Sequence, residues 1–527
     1  MRVKVAVLLM PTLLGWVATP ALARVVLIGV DGGSWNAIDP MLEAGELPHL
    51  KALQARGVTA NLEAVEPMNS PTVWTSIATG RRPKSHGVTS FFATRLSIRV
   101  PTVWERLAAD GLRIGLYDYL VTWPPPSFPG GFAIPGWLRR DDAVAPPDLF
   151  EKAGVRPFAY SVKDVWTPGD HIANTRDEVA VKPKRWNRLA EKFELDAGAV
   201  VFYSVDVVSH RFWHAAFPED YEDGAPRAEP GHRSVVPDTL RGIDRAIGEI
   251  GDALGPDDSV VIVSDHGFQA DEAGSRRIWA MRPEGSIEAA GFDPERDGFS
   301  IVGGWGRITI RVHKGPLHER DAVLERLIEL FEAARGEDDQ PLFDPIFLDT
   351  VERPSDAQRP IGQRLRQLAV RAFLWWYDVE LSEPAHAYLF IRPRAEAVEG
   401  IWPEGTVRIG AQEIPAREFF SPNDFSGTHR RDGIFLAAGG PIRAQAERGR
   451  ISVLDVAPLL FYLVGRAIPD DLEGNLLTSW IEPAHLAANP PAQVSAKTLP
   501  EIPRGRAGSP SKDPRVMERL RSLGYVE

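Results

Sequence analysis

Val25-Val-Leu-Ile-Gly-Val30 before Asp31, Ala199-Val-Val-Phe-Tyr-Ser-Val205 before Asp206, and Val260-Val-Ile-Val-Ser264 before Asp265 are three apolar runs that each end on an aspartate. Continuous β-branched runs without polar alternation suit strands buried on both faces of a parallel sheet. In such sheets ligands collect outside the carboxyl ends of the strands. The reading is an α/β fold with a mostly parallel sheet, flanked by helices on both faces, that gathers acids at one edge.

Imidazoles accompany those acids. His210 follows Asp206 by four residues, a spacing that lets both reach one metal if the strand passes into a helical turn. His266 is adjacent to Asp265, and His429 lies in the Gly-containing stretch Phe425-Ser-Gly-Thr-His-Arg430. A lone strand-end aspartate is usually a helix cap, and a lone histidine is usually a satisfied polar group. Six together, of hard and borderline type, suit two zinc ions sharing a site. The chain has no cysteine, so thiolate ligands and disulfides are excluded.

Ser70-Pro71 heads the helical pattern Thr72-Val-Trp-Thr-Ser-Ile-Ala-Thr79, which Gly80 stops. Serine as N-cap and proline at N1 place the hydroxyl at the positive end of a helix. The plain reading is a cap. The chemical reading is an oxygen that binds metal, loses its proton and attacks phosphorus, with helix amides helping to hold the phosphoryl oxygens.

Composition bounds the rest. The chain has 527 residues, 44% hydrophobic and 25% charged, enough apolar material for one large interrupted core. Met1 to Ala18 is a basic head and a short apolar stretch, followed by Ala21-Leu-Ala23, which reads as a signal peptide cleaved after Ala23. Cleavage takes away Arg2 and Lys4 and no acid, so the formal charge goes from −12 to −14. That balance argues against binding to nucleic-acid polymers. No second hydrophobic span follows, so the expectation is a periplasmic or secreted protein with no membrane span after processing.

Along the chain, Pro48 to Arg56 reads as a helix end, Pro101 to Gly111 and Asp238 to Leu254 as helices, Arg113 to Tyr117 as a strand, and Trp123 to Pro135 as a Pro/Gly-rich loop. Residues 24–270 and 421–477 form the expected core. Residues 271–420 lose clean alternation and read as an inserted cap region that holds a helix over Arg320 to Ala334 and the aromatic patch Phe373-Leu-Trp-Trp-Tyr377. Residues 487–527 read as a linker followed by a short helix, Arg515 to Leu523.

The motifs Val-Leu-Ile-Gly-Val-Asp-Gly (26–32), Ser-Pro-Thr-Val-Trp-Thr-Ser-Ile-Ala-Thr-Gly (70–80), Ser-Asp-His-Gly (264–267) and Gly-Thr-His (427–429) resemble the alkaline phosphatase superfamily. The resemblance is to its type I phosphodiesterase/nucleotide pyrophosphatase branch and the predicted phosphohydrolase/phosphomutase group. It implies an alkaline-phosphatase-like core and two divalent ions, zinc by family habit. One zinc would be held by Asp31, Asp265, His266 and the Ser70 oxygen, and the other by Asp206, His210 and His429. It also implies that Ser70, not Thr72, is the nucleophile acting on a small-molecule phosphate ester. Relatives carry a transition-state asparagine shortly after the His-Gly that is His86-Gly87 here, whereas this chain offers Phe91 near that place. Phe91, Trp74 and Trp123 would then give an apolar surface for the second substituent of a diester, with Arg81, Arg82 and Lys84 as the alternative, monoester-binding donors. Rival readings are a phosphomutase of the same superfamily and a noncatalytic metal-containing binding protein.

Overall fold

In the computed structural model, residues 23–499 are described except 137, 139–141, 156–167, 222–224, 226–227, 272–279, 282–286, 288–290, 305–306, 314–316, 337–338, 350–384, 395–404, 410–411, 417–419 and 422–425. The signal segment, the aromatic patch 373–377 and the helix expected at 515–523 therefore lie outside the described residues, apart from Ala23.

The three apolar runs become β1 (Val25–Val30), β5 (Ala197–Phe202) and β6 (Ser259–Val263), adjacent at the centre of one sheet. Their side chains alternate between two cores. Val25 and Leu27 join one cluster, Val26, Ile28 and Val30 the other. Both faces of β1 are thus covered, which is why its sequence shows no polar alternation. Gly29 has a separate reason to be small, since a Cβ there would stand 2.5 Å from the Trp74 ring.

The sheet is completed by β2 (Gly57–Glu63), β3 (Ile114–Tyr119), β4 (Phe132–Pro135), and two late strands described below as β13 (Asp432–Gly439) and β14 (Gly449–Ser452). The order is β14-β2-β13-β6-β1-β5-β3-β4. Only β13 runs antiparallel to its neighbours; every other pairing is parallel. The chain leaves β1 with β5 on one side and β6 on the other, a topological switch point.

Around the sheet lie α1 (Trp35–Glu43), α2 (Pro48–Ala55), α3 (Ser70–Thr79), α4 (Val103–Ala109), α5 (Pro168–Lys192), α6 (Ser204–Ala216) and α7 (Val235–Gly251). Besides shifts of one to three residues at helix and strand ends, three assignments differ from the sequence reading. Residues 132–135, expected in a loop, form β4, because Phe132 and Ile134 are apolar enough to be buried against β3. The N-cap of α3 is Asn69, whose Oδ1 accepts from the Thr72 N–H at 3.1 Å, so Ser70 occupies the first helical position. Residues 487–499, expected as linker, run along the core: Gln493–Val494 pairs with Ile468–Pro469, and the Asn489 carbonyl accepts from the Tyr462 hydroxyl at 3.0 Å.

The polypeptide after β7 (Gly267–Ala270) builds a second, antiparallel sheet from β8 (Phe299–Gly304), β9 (Arg307–His313), β10 (Phe343–Asp349) and β11 (Ala385–Pro393), in the order β10-β11-β9-β8. With α8 (Leu317–Ala333) it has its own apolar core around Leu327, Phe331, Ile310 and Leu389. The chain returns through β12 (Gly427–Arg430), which pairs with β7, and enters β13.

Candidate active site

Each candidate residue reaches one edge of the sheet for a topological reason. Asp31 follows β1, Asp265 and His266 follow β6, and Asp206 sits in the first turn of α6, just past β5. Ser70 opens α3 after β2, which is parallel to β1 and β6 and so ends at the same edge. His429 immediately precedes β13. That strand is antiparallel, so its start lies where the others finish.

The side chains converge. Asp206 Oδ1 lies 3.5 Å from His210 Nε2 and 3.3 Å from His429 Nε2, and the two nitrogens are 3.1 Å apart. A triangle with those sides has a point about 1.9 Å from all three corners, close to the roughly 2.0–2.2 Å of zinc–nitrogen and zinc–oxygen bonds. Around His266 Nε2 lie Asp265 Oδ2 at 3.3 Å, Ser70 Oγ at 3.5 Å, Asp31 Oδ1 at 3.8 Å and Asp206 Oδ1 at 3.9 Å. Two metal-ligand groups therefore share Asp206: Asp206 with His210 and His429, and Asp206 with Asp31 and His266.

Protonation states fit a cation. His210 Nδ1 is 3.0 Å from the Gly427 carbonyl and His266 Nδ1 is 3.2 Å from the Gly267 carbonyl. A carbonyl only accepts, so each Nδ1 carries the proton and each Nε2 presents its lone pair. Those lone pairs face carboxylate oxygens 3.3–3.9 Å away. Asp31 Oδ1 and Asp265 Oδ2 are buried and have no hydrogen-bond partner among the described residues. Burial, then the neighbouring carboxylates, pushes Asp31 well above the usual carboxylate range; burial and Asp206 raise Asp265 to about 7. Burial pushes the His210 and His266 imidazoles down. Several carboxylates crowded in one dry site are costly without a cation, and the donor set is one that zinc accepts.

The surroundings hold these groups in place. The Trp74 indole N–H donates to Asp31 Oδ2 at 2.9 Å and the Gly32 N–H to Asp265 Oδ1 at 3.3 Å. Phe268 packs edge-on against His210 and His429. All seven candidate residues are buried except His429, whose side chain is 14% exposed, so the cluster meets solvent on that side.

Several sequence expectations are corrected here. Trp74 is not a substrate-facing ring: it is fully buried, edge-on to Tyr119, and its polar edge serves Asp31. Arg81 pairs with Asp471 and Glu473, and Arg82 with Glu473, which ties them to the C-terminal part of the core. The first-turn amides expected to hold phosphoryl oxygens are largely committed, since Pro71 has no N–H and those of Thr72 and Val73 donate to Asn69. The Thr72 hydroxyl is also taken, donating to Asn69 Oδ1 at 2.7 Å. Sequence reasoning assigned no role to Phe268 or Gly32. Gly32 closes the motif 26–32 and Phe268 follows the motif 264–267 by one residue, which is the only signal they gave.

A strand-end cluster of this kind on a mostly parallel α/β sheet has the donor set and placement of a metal-binding site. Residues 25–359 match the type I phosphodiesterase/nucleotide pyrophosphatase family, and the chain belongs to it. It is therefore a hydrolase acting on phosphoester bonds, from a metal-dependent family of phosphodiesterases. Among solved structures it is similar to murine ectonucleotide pyrophosphatase/phosphodiesterase 5, at 13% identity over 87% of this chain and 100% of that one, with a TM-score of 0.40. An inactive variant of that murine protein in complex with AMP is 13% identical over 87% of this chain and 98% of its own, with a TM-score of 0.39. No curated protein matches. Among the described residues, no helix is long and apolar enough to cross a membrane.

Proposed function

We propose that the chain is an exported phosphodiesterase that uses two zinc ions and the nucleophile Ser70, through a covalent phosphoseryl intermediate. The observation that carries this reading is the facing of imidazole lone pairs and buried carboxylate oxygens across 3.3–3.9 Å beside the Ser70 hydroxyl. Asp31, Asp265, His266 and the Ser70 oxygen would hold one ion and Asp206, His210 and His429 the other; bound there, the pair would offset phosphoryl charge and make the serine and a water more acidic.

Ser70 Oγ forms a bond to phosphorus as the bond to the leaving-group oxygen breaks, its proton passing through solvent to that departing oxygen, which leaves the substituted phosphoryl group on serine and releases the alcohol or phenol. Water then attacks that phosphorus, and Ser70 departs with a proton. Thr72 is a poor alternative because its hydroxyl is spent on Asn69. Burial of the cluster on all sides but that of His429 limits competing water.

Export rests on the segment 1–23, with Arg24 as the mature N-terminus. Arg24 is fastened directly to the core, its backbone N–H to Asp258 Oδ1 at 2.7 Å and its Nε to Oδ2 at 2.8 Å. The reading is tested with bis(4-nitrophenyl) phosphate on protein stripped of metal and reloaded with zinc. Turnover should vanish and return. Turnover indifferent to both treatments would overturn it.

A further inference from the structure

We propose that Glu178, a carboxylate on α5 outside the cluster, is a positioning residue for the metal half-site formed by Asp206 and His210. This inference rests on the two-zinc reading above.

The N-terminal cap of α6 is Tyr203, which supplies no side-chain cap, and Asp206 stands at the third helical position. An acid at that position ordinarily reaches back to the cap residue's backbone N–H and closes a capping box. Here that N–H donates to Glu178 instead, 3.2 Å from both Oε1 and Oε2. The hydroxyl of Ser204, the first helical residue, also donates to Glu178 Oε2. The Asp206 N–H donates to the Asp31 carbonyl at 3.1 Å, which locks the turn against the loop after β1. With Glu178 serving the helix end, the Asp206 carboxylate turns toward His210, His266 and His429.

Glu178 is held rigidly for this task. It is buried, and Lys182, one turn along α5, bonds to its Oε1. The Lys182 ammonium also lies 2.8 Å from Asp118 Oδ2 and donates to the Val201 carbonyl of β5 at 2.7 Å. Lys182 thus offsets the buried charge and fixes Glu178 to the strand that leads into α6. Among the described hydrogen bonds and ion pairs Glu178 is joined to the helix end and not to a candidate ligand, although its charge adds to those that raise Asp31. Glu178 acts through the helix that carries two of the candidate ligands.

The test is zinc binding, measured by competition with a chromophoric chelator, on wild-type protein and Glu178→Gln. The glutamine keeps the shape but presents an amide where the carboxylate accepts from Tyr203 and Ser204. We expect one of two zinc ions to bind about 10–100-fold more weakly, the scale for lost outer-shell support, with the other, whose group Asp206 borders at 3.9 Å from His266 Nε2, weakened clearly less. Cobalt-loaded protein should show altered ligand-field bands at one site. In a His429→Ala background, where that half-site is already broken, Glu178→Gln should cause little further loss. Far-UV circular dichroism and melting of the zinc-free form report folding separately. If Glu178→Gln does not fold, Ser204→Ala, which removes one donor and keeps the carboxylate, should show the same selective weakening in smaller degree.

Two zinc ions bound by the variants with wild-type affinity, or equal weakening of both, would overturn the inference alone. Wild-type protein that takes up no zinc would overturn the two-zinc reading and this inference with it.

Discussion

The Trp74 indole N–H donates to Asp31 Oδ2 at 2.9 Å while Asp31 Oδ1 faces His266 Nε2 at 3.8 Å. One carboxylate is thus divided between a fixed protein donor and the site. The indole makes Asp31 a pre-oriented ligand, and Gly29 is small so that the ring can pass over β1. Trp74→Phe should keep most of the packing and lose the donor. We expect about a 10–100-fold loss of zinc affinity or activity, read by zinc titration and kcat/KM on protein that circular dichroism shows to be folded. Unchanged affinity and rate would remove Trp74 from the account.

Metal content is the next prediction. Gently purified protein should hold about two zinc equivalents per chain. His429→Ala should lose occupancy chiefly at the site shared with Asp206 and His210, because it removes one corner of that triangle. Chelation should lower the melting temperature, since an ion bound only by the folded state stabilises it. Inductively coupled plasma mass spectrometry and differential scanning calorimetry read the two effects. No metal, with no uptake of added zinc, contradicts the site as drawn.

His86 gives a pH prediction remote from the cluster. It is buried, accepts from the Val88 N–H at Nδ1 (3.1 Å) and therefore donates from Nε2 to the Ser76 hydroxyl at 2.9 Å. Burial lowers its pKa from 6.5 to about 4. The unfolded chain therefore binds more protons between those values, and stability falls as pH drops from about 6.5 toward 4. At about 1.4 kcal/mol per pKa unit the loss attributable to His86 is of order 3 kcal/mol. Urea unfolding of wild type and His86→Gln across this range should show a shallower acid slope in the variant. Parallel slopes would show that His86 does not titrate on unfolding as argued.

On specificity, bis(4-nitrophenyl) phosphate should be cleaved with higher kcat/KM than 4-nitrophenyl phosphate. A monoester dianion gains most from added cationic donors, and Arg81 and Arg82 are committed to Asp471 and Glu473. Neutralising Arg81, Arg82 or Lys84 singly should leave the ratio unchanged. A strong monoester preference would mean that donors elsewhere in the pocket set specificity.

Much of this was legible in the sequence because a central parallel strand is covered on both faces. Val25 to Val30 could therefore be read without any alignment, and the acid at its end marked the active edge. His429 was legible only as a motif, because its arrival depends on β13 running against the sheet, a fact of topology. Trp74 and Glu178 were illegible for a different reason. Their polar atoms act across long sequence separations, on Asp31 and on the start of α6, and no local period records such a bond. The stretch 487–499 is largely exposed, and its bonds to Asp470 and Tyr462 were not legible because Pro/Ala-rich composition carries no record of such long-range partners.

The central claim is that Ser70 carries the phosphoryl group, and the direct measurement is acid-quenched single turnover with bis(4-nitrophenyl) phosphate followed by peptide mapping. The account predicts a nitrophenyl phosphoryl adduct on Ser70, no adduct and no turnover in Ser70→Ala despite normal zinc uptake, and only mild effects in Thr72→Ala. An adduct on Thr72, or turnover that persists in Ser70→Ala, would contradict it.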